Sequence, residues 1–236
     1  MKAPATAKTT GATRKPESAA GRKARAGRIA KRLASLYPEA RISLNFETPW
    51  QCLVATILSA QCTDERVNQV TPALFKEIPT IEAMAEADEK KVRKLIVTTG
   101  FFRQKTKSLQ GAARALIERF GGEIPDRMKE LITIPGVGRK TANVVLGHVF
   151  GKPGLVVDTH VKRLALRLGL ARSSDPEEIE RELQKVLPQT QWTRFSMRLI
   201  LHGRRVCIAR RPRCESCKLS DDCPRLGLRI AAAQNG

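Results

Sequence analysis

The sequence predicts an all-α fold, and three observations carry the prediction. Apolar residues recur at three- and four-residue spacing along most of the chain after Ile29. Helix start and stop signals fall between those stretches, and no alternating stretch runs longer than a few residues. Taken in order, WQCLVATILSA follows Pro49, a residue tolerated in a first helical turn. KVRKLIVTTG ends on Gly100, and LQGAARALIERF and DRMKELIT follow it. TANVVLGHVF comes directly after a glycine-rich loop. Asp158 precedes VKRLALRLGL, and Asp175-Pro176 with Glu177 and Glu178 opens EEIERELQKVL. Roughly ten short helices with tight connections are expected, with no internal repeat. One Tyr, two Trp and seven Phe leave few rings for stacking bases, which disfavours a sheet-based single-strand binder.

Charge narrows the partner. Lys and Arg number 43 against 23 Asp and Glu, a formal net charge of +20, which points to a polyanion. Residues 1–28 carry eight basic residues against Glu17 and no large apolar residue after Met1, so a disordered basic tail is expected there. The tail lacks the apolar stretch of a secretory signal, although its Arg, Ala and Thr content also suits an organelle transit peptide. Without it the remainder is still strongly basic. No apolar run approaches the roughly 18 residues of a membrane helix.

Four cysteines, Cys207, Cys214, Cys217 and Cys223, follow the spacing C-x6-C-x2-C-x5-C. Cys52 and Cys62 lie within apolar helical segments and read as buried thiols. A chain with a full helical core has no need of disulfides. Structural zinc usually draws on two short Cys knuckles, and only Cys214 and Cys217 form one here. A compact loop with a single knuckle suits a [4Fe–4S] cluster, with zinc the competing reading. Arg210, Arg211, Arg213 and Lys218 crowd the loop, which could turn them toward a phosphate backbone.

The stretch ITIPGVGRKTANVVL sets two glycines and a proline against the start of an apolar helix. Glycines let the backbone approach a ligand closely, and the free N–H groups of a helix start suit a phosphate. With a helix on either side, this is the signature of a helix-hairpin-helix, which grips DNA without reading its sequence. Lys140 stands in the first turn, with Arg139 beside it. A cation there opposes the helix dipole, whereas nucleophilic attack requires the free amine. A plain phosphate-contacting lysine is the other reading. The helix from Thr141 to Val149 rises about 13 Å at ~1.5 Å per residue. The turn at 151–154 reverses the chain, and extended LVVD then covers about 13 Å back. Asp158 is thus expected near the level of Lys140, while also being suited to cap the next helix.

Together these residues resemble the endonuclease III family of DNA glycosylases with associated abasic-site lyase activity. The resemblance runs from about residue 28 to 226. It is carried by LSAQCTD (58–64), TGFFRQK (99–105), IPGVGRKTANVVL (134–146), VDTH (157–160), LHGRRVCIARRPRC (201–214) and the cysteine spacing. It implies two lobes with DNA across the cleft between them. One is a six-helix barrel at 42–151 that ends in the hairpin. The other combines 29–41 with 152–226 and carries a [4Fe–4S] cluster on Cys207, Cys214, Cys217 and Cys223; 227–236 forms a C-terminal tail. The implied substrate is double-stranded DNA with a damaged or abasic nucleotide. The implied activity is removal of oxidised pyrimidines, followed by strand cleavage.

By the same resemblance, Lys140 attacks C1′ and forms a Schiff base whose β-elimination cuts the strand. Asp158 assists the amine and stabilises positive charge on the sugar. Gln61, Phe101 and His160 would fill the gap left by the extruded base, and Gly136, Val137, Gly138 and Arg139 would hold the backbone. A monomer free of membranes is implied, cytoplasmic and nucleoid-associated if bacterial. Ile132 stands where relatives often carry an acidic residue, and Phe101-Phe102 replaces the more usual Leu-Tyr. The competing readings are a monofunctional mismatch glycosylase, a branch that generally lacks the hairpin lysine, and a non-catalytic DNA-binding iron–sulfur protein.

Overall fold

The computed structural model of the chain describes residues 17–228. Among the described residues there are eleven α-helices and no strand. The helices are α1 (Ala19–Leu36), α2 (Pro49–Leu58), α3 (Asp64–Glu77), α4 (Ile81–Glu86), α5 (Glu89–Ile96) and α6 (Phe102–Phe120). They continue with α7 (Met128–Leu131), α8 (Arg139–His148), α9 (Thr159–Arg167), α10 (Pro176–Val186) and α11 (Trp192–Arg205). A 3₁₀ turn at Val97–Thr99 joins α5 to α6, and another at Ser220–Asp222 closes the cysteine loop.

The start of α1 corrects the expected tail. Residues 19–28, read as disordered from sequence, are helical, with Ser18 capping through its hydroxyl. The run contains little but Ala, Arg, Lys and two Gly, and Ala, Arg and Lys are strong helix formers. Its arginines also find partners that are distant in sequence. Arg25 donates to the carbonyls of Leu168, Gly169 and Asp222, Arg28 pairs with Asp222, and Arg32 pairs with Asp221. The expectations for residues 1–16 and 229–236 lie outside the described residues.

Two hydrophobic cores divide the molecule. One gathers the inward faces of α2 to α8, with Leu53, Leu58, Leu74, Met84, Ile96, Leu109, Leu116 and Leu131 fully buried. The second packs α1 against α9, α10 and α11 around Ile29, Leu33, Leu164, Leu183, Phe195 and Leu199. Cys52, Val144, Val156 and Met197 form a small apolar bridge between them. Burial pushes the Cys52 thiol up to about 11, as befits an inert core residue. Cys62 differs from its expectation: it lies in the loop after α2 and is only partly buried.

The return of the chain from α8 depends on a glycine. Gly151 takes a left-handed conformation (φ 61°), and the chain then runs back beside α8. At Gly154 a Cβ would lie 2.2 Å from the backbone oxygen of Asn143, so no side chain fits. The amide of Asn143 donates to the carbonyl of Leu155 at 3.1 Å and fixes the returning segment. Extended residues 155–158 then lead into α9.

Candidate active site

The connection between α7 and α8 is a tight turn over Ile134–Val137. The Val137 amide donates to the Ile134 carbonyl at 3.0 Å, with Pro135 and then Gly136 (φ 79°) at the corner, the pattern of a type II turn. A Cβ on Gly136 would meet the Ser108 side chain at 2.6 Å. Arg119 of α6 donates to the hydroxyl and carbonyl of Thr133, which ties the turn to the first core. Gly138 occupies the N-cap position of α8 and offers no side-chain cap. The amides of the first turn thus face outward without a side-chain acceptor, as an anion-binding helix start requires.

Two residues expected to hold DNA also have structural partners here. Val137 is 5% exposed within the first core, and its amide closes the turn, so the residue helps to hold the hairpin. Arg139 makes a two-point ion pair with the buried carboxylate of Glu180 on α10, at 2.7 and 3.0 Å. That pair joins α8 to the second core and neutralises the cation expected to press on Lys140.

Lys140 remains exposed in the first turn of α8 and lines a cleft together with Asp158. Asp158 is the N-cap of α9. Its Oδ1 accepts from the Val161 amide at 2.8 Å, and the other oxygen is left for the cleft. The same cleft holds Asp64 at the start of α3 and Arg204 at the end of α11, which pair at 3.0 Å. This ion pair spans the two cores. Sequence reasoning missed it, although both residues lie in quoted motifs, because nothing in a single chain links positions 64 and 204.

Gln61 and Phe101 share an uncommon trait. Each takes a left-handed backbone conformation (φ 52° and 46°), and Phe101 is 64% exposed, so it is not a core ring. Strained non-glycine residues of this kind persist only when their surroundings hold them. His160 sits differently. Its Nδ1 lies 3.1 Å from the Arg163 guanidinium, and the ring packs against Gly203. Burial, reinforced by Arg163 and Arg204, lowers its pKa, with Asp158 opposing the shift.

Cys207, Cys214, Cys217 and Cys223 line one common pocket. Arg167 donates to the Cys207 sulfur at 3.4 Å, and the Leu219 amide donates to that of Cys217 at 3.4 Å. The Cys217 sulfur also lies 3.4 Å from His202 Nε2, whose Nδ1 is 3.0 Å from the Tyr37 hydroxyl. Burial, with the neighbouring sulfurs adding to it, raises the Cys217 and Cys223 thiols above their usual range. Four partly buried sulfurs with N–H donors on two of them suit a polynuclear cationic core bound as thiolates. Among the described residues, no group of three or more His, Cys, Asp or Glu is gathered as a site for a single metal ion. Arg210, Arg211, Arg213 and Lys218 lie exposed on this loop.

Residues 54–189 match the family model for HhH-GPD superfamily base excision DNA repair proteins. The chain is 57% identical over 206 residues to an endonuclease III of Synechocystis sp., covering 87% of this chain and 94% of that one. A solved endonuclease III in a non-covalent complex with DNA superposes with a TM-score of 0.82 at 37% identity, covering 86% of this chain and 95% of the other. A trapped endonuclease III–DNA covalent intermediate superposes with a TM-score of 0.83 at 37% identity, covering 86% and 96%.

Proposed function

The chain belongs to the endonuclease III family of the HhH-GPD superfamily, and from that premise we propose which residues do its work and on what. It is a base excision repair enzyme, a DNA glycosylase with AP lyase activity, and its partner is DNA. Among the described residues, no helix is long and apolar enough to cross a membrane.

Lys140 is the nucleophile and Asp158 its partner. The observation that carries this assignment is their convergence on one cleft, from helices rooted in different cores. With a damaged pyrimidine extruded from the duplex, the amine attacks C1′ and the base departs with the bonding electrons of its glycosidic bond. The free oxygen of Asp158 stabilises the positive charge that builds on the sugar, while its capped oxygen keeps the carboxylate in place. Loss of the ring oxygen from C1′ gives a Schiff base on Lys140. Removal of a C2′ proton then expels the 3′ phosphate and cuts the strand. The uncapped start of α8 and the exposed cations of the cysteine loop bind phosphates on either side of the cleft.

Cys207, Cys214, Cys217 and Cys223 would hold a [4Fe–4S] cluster, which when bound cross-links the loop into one rigid piece. The inward donors from Arg167 and Leu219 favour the thiolate form. The preferred bases are oxidised pyrimidines, and the test is a borohydride-trapping panel over thymine glycol, dihydrouracil and a plain abasic site. Covalent capture on all three is expected. Capture on the abasic site alone would restrict the enzyme to lyase chemistry, and capture on none would refute the reading.

A further inference from the structure

Lys105 is a cation where cations are rare. It lies in the first turn of α6, is 4% exposed, and has no carboxylate partner among the described residues. Its Nζ donates instead to two backbone carbonyls, those of Leu58 at 2.8 Å and Thr99 at 2.7 Å. Leu58 is the last residue of α2, and Thr99 ends the 3₁₀ turn before α6. Both are terminal carbonyls that lack helical partners and carry the negative end of a helix. Burial lowers the pKa of the amine, opposed by the nearby Cys62.

The two anchored segments lead straight into the two strained residues. Gln61 follows Leu58 by three positions and Phe101 follows Thr99 by two. Of the three non-glycine residues with positive φ among those described, these are two. A left-handed glutamine and an exposed left-handed phenylalanine hold their conformation only if the preceding backbone is fixed. One buried amine fixes both.

We propose that Lys105 is the positioning residue for base extrusion: it locks the 58–61 and 99–101 segments to each other so that Gln61 and Phe101 enter the duplex as one rigid wedge. This rests on the reading that those two residues fill the extruded base's gap. A wedge must resist the stack it opens, so slack between its halves lowers the fraction of encounters that extrude the base. Attack on an abasic site in single-stranded DNA needs no wedge.

The test compares wild type with Lys105→Met on a thymine-glycol duplex and on single-stranded abasic DNA, with thermal midpoints recorded alongside. Duplex excision kcat/KM is expected to fall at least about tenfold, while single-strand trapping stays within about twofold. Should Lys105→Met fail to fold, Lys105→Gln carries the test, because its shorter amide cannot span both carbonyls and should show the same duplex-selective loss. Equal loss on both substrates, or no loss on either, would overturn the proposal. A wild-type protein inert on both would instead sink the enzymatic reading beneath it.

Discussion

Asp158 caps α9 with one oxygen, and the role proposed for it at the sugar falls to the other, so substitution can separate the two. Asparagine caps a helix about as well as aspartate, so Asp158→Asn should leave the thermal midpoint nearly unchanged. Base excision should still fall, by about 10²–10³-fold, because the carboxylate charge facing the sugar is gone. Asp158→Ala should lose the same activity and about 1 kcal/mol of stability besides. Equal midpoints for the two variants would show that the cap seen at Val161 contributes nothing. A second residue-scale prediction concerns acid. His148 is partly buried with no partner for its Nε2, and burial lowers its pKa below the ordinary 6.5. The native state therefore favours the neutral ring. Its contribution is complete above 6.5 and is lost as the pH falls from there through the folded value. Thermal unfolding from about pH 7 to about pH 5 should show a falling midpoint, with a shallower slope in His148→Gln. An identical slope in that variant would remove His148 from the account.

At the scale of elements, what the sequence disclosed depended on whether the signal was local. Helix α9 was legible from Asp158 and its apolar spacing, α10 from Asp175-Pro176, and the hairpin from Pro135, Gly136 and Gly138, because caps and turns act within a few residues. The first half of α1 was not legible. Its stability comes from Arg25 and Arg28, which meet Leu168 and Asp222, and no local pattern announces partners at that distance. The Arg139–Glu180 pair, a tie between cores, escaped for the same reason. The return path of Asp158 was anticipated from segment lengths, but its closeness to α8 depends on Gly154. A methyl group there would collide with the Asn143 carbonyl, so Gly154→Ala should cost about 1–3 kcal/mol. It should also lower excision by moving Asp158. Differential scanning calorimetry with a duplex excision assay checks both, and a variant as stable and active as wild type would contradict the packing described.

For the molecule as a whole, the site exists because two cores meet. Lys140 belongs to a helix of the first, Asp158 to the edge of the second, and the Asp64–Arg204 pair and the Cys52–Met197 bridge hold the two in register. Composition pointed to a polyanion through a net charge of +20, and motif spacing singled out Lys140 and the four thiols. Neither could reveal how the cleft is braced, since bracing is made of long-range pairs. The cysteine loop then extends the basic surface beyond the cleft, with Arg210, Arg211 and Arg213 exposed on it. All of this serves one amine. The most direct test is borohydride trapping of wild type and Lys140→Gln on abasic duplex DNA, with binding measured in parallel. Wild type should become covalently joined to the strand, and Lys140→Gln should bind with comparable affinity yet leave the DNA free. A crosslink that survives the substitution would contradict the account.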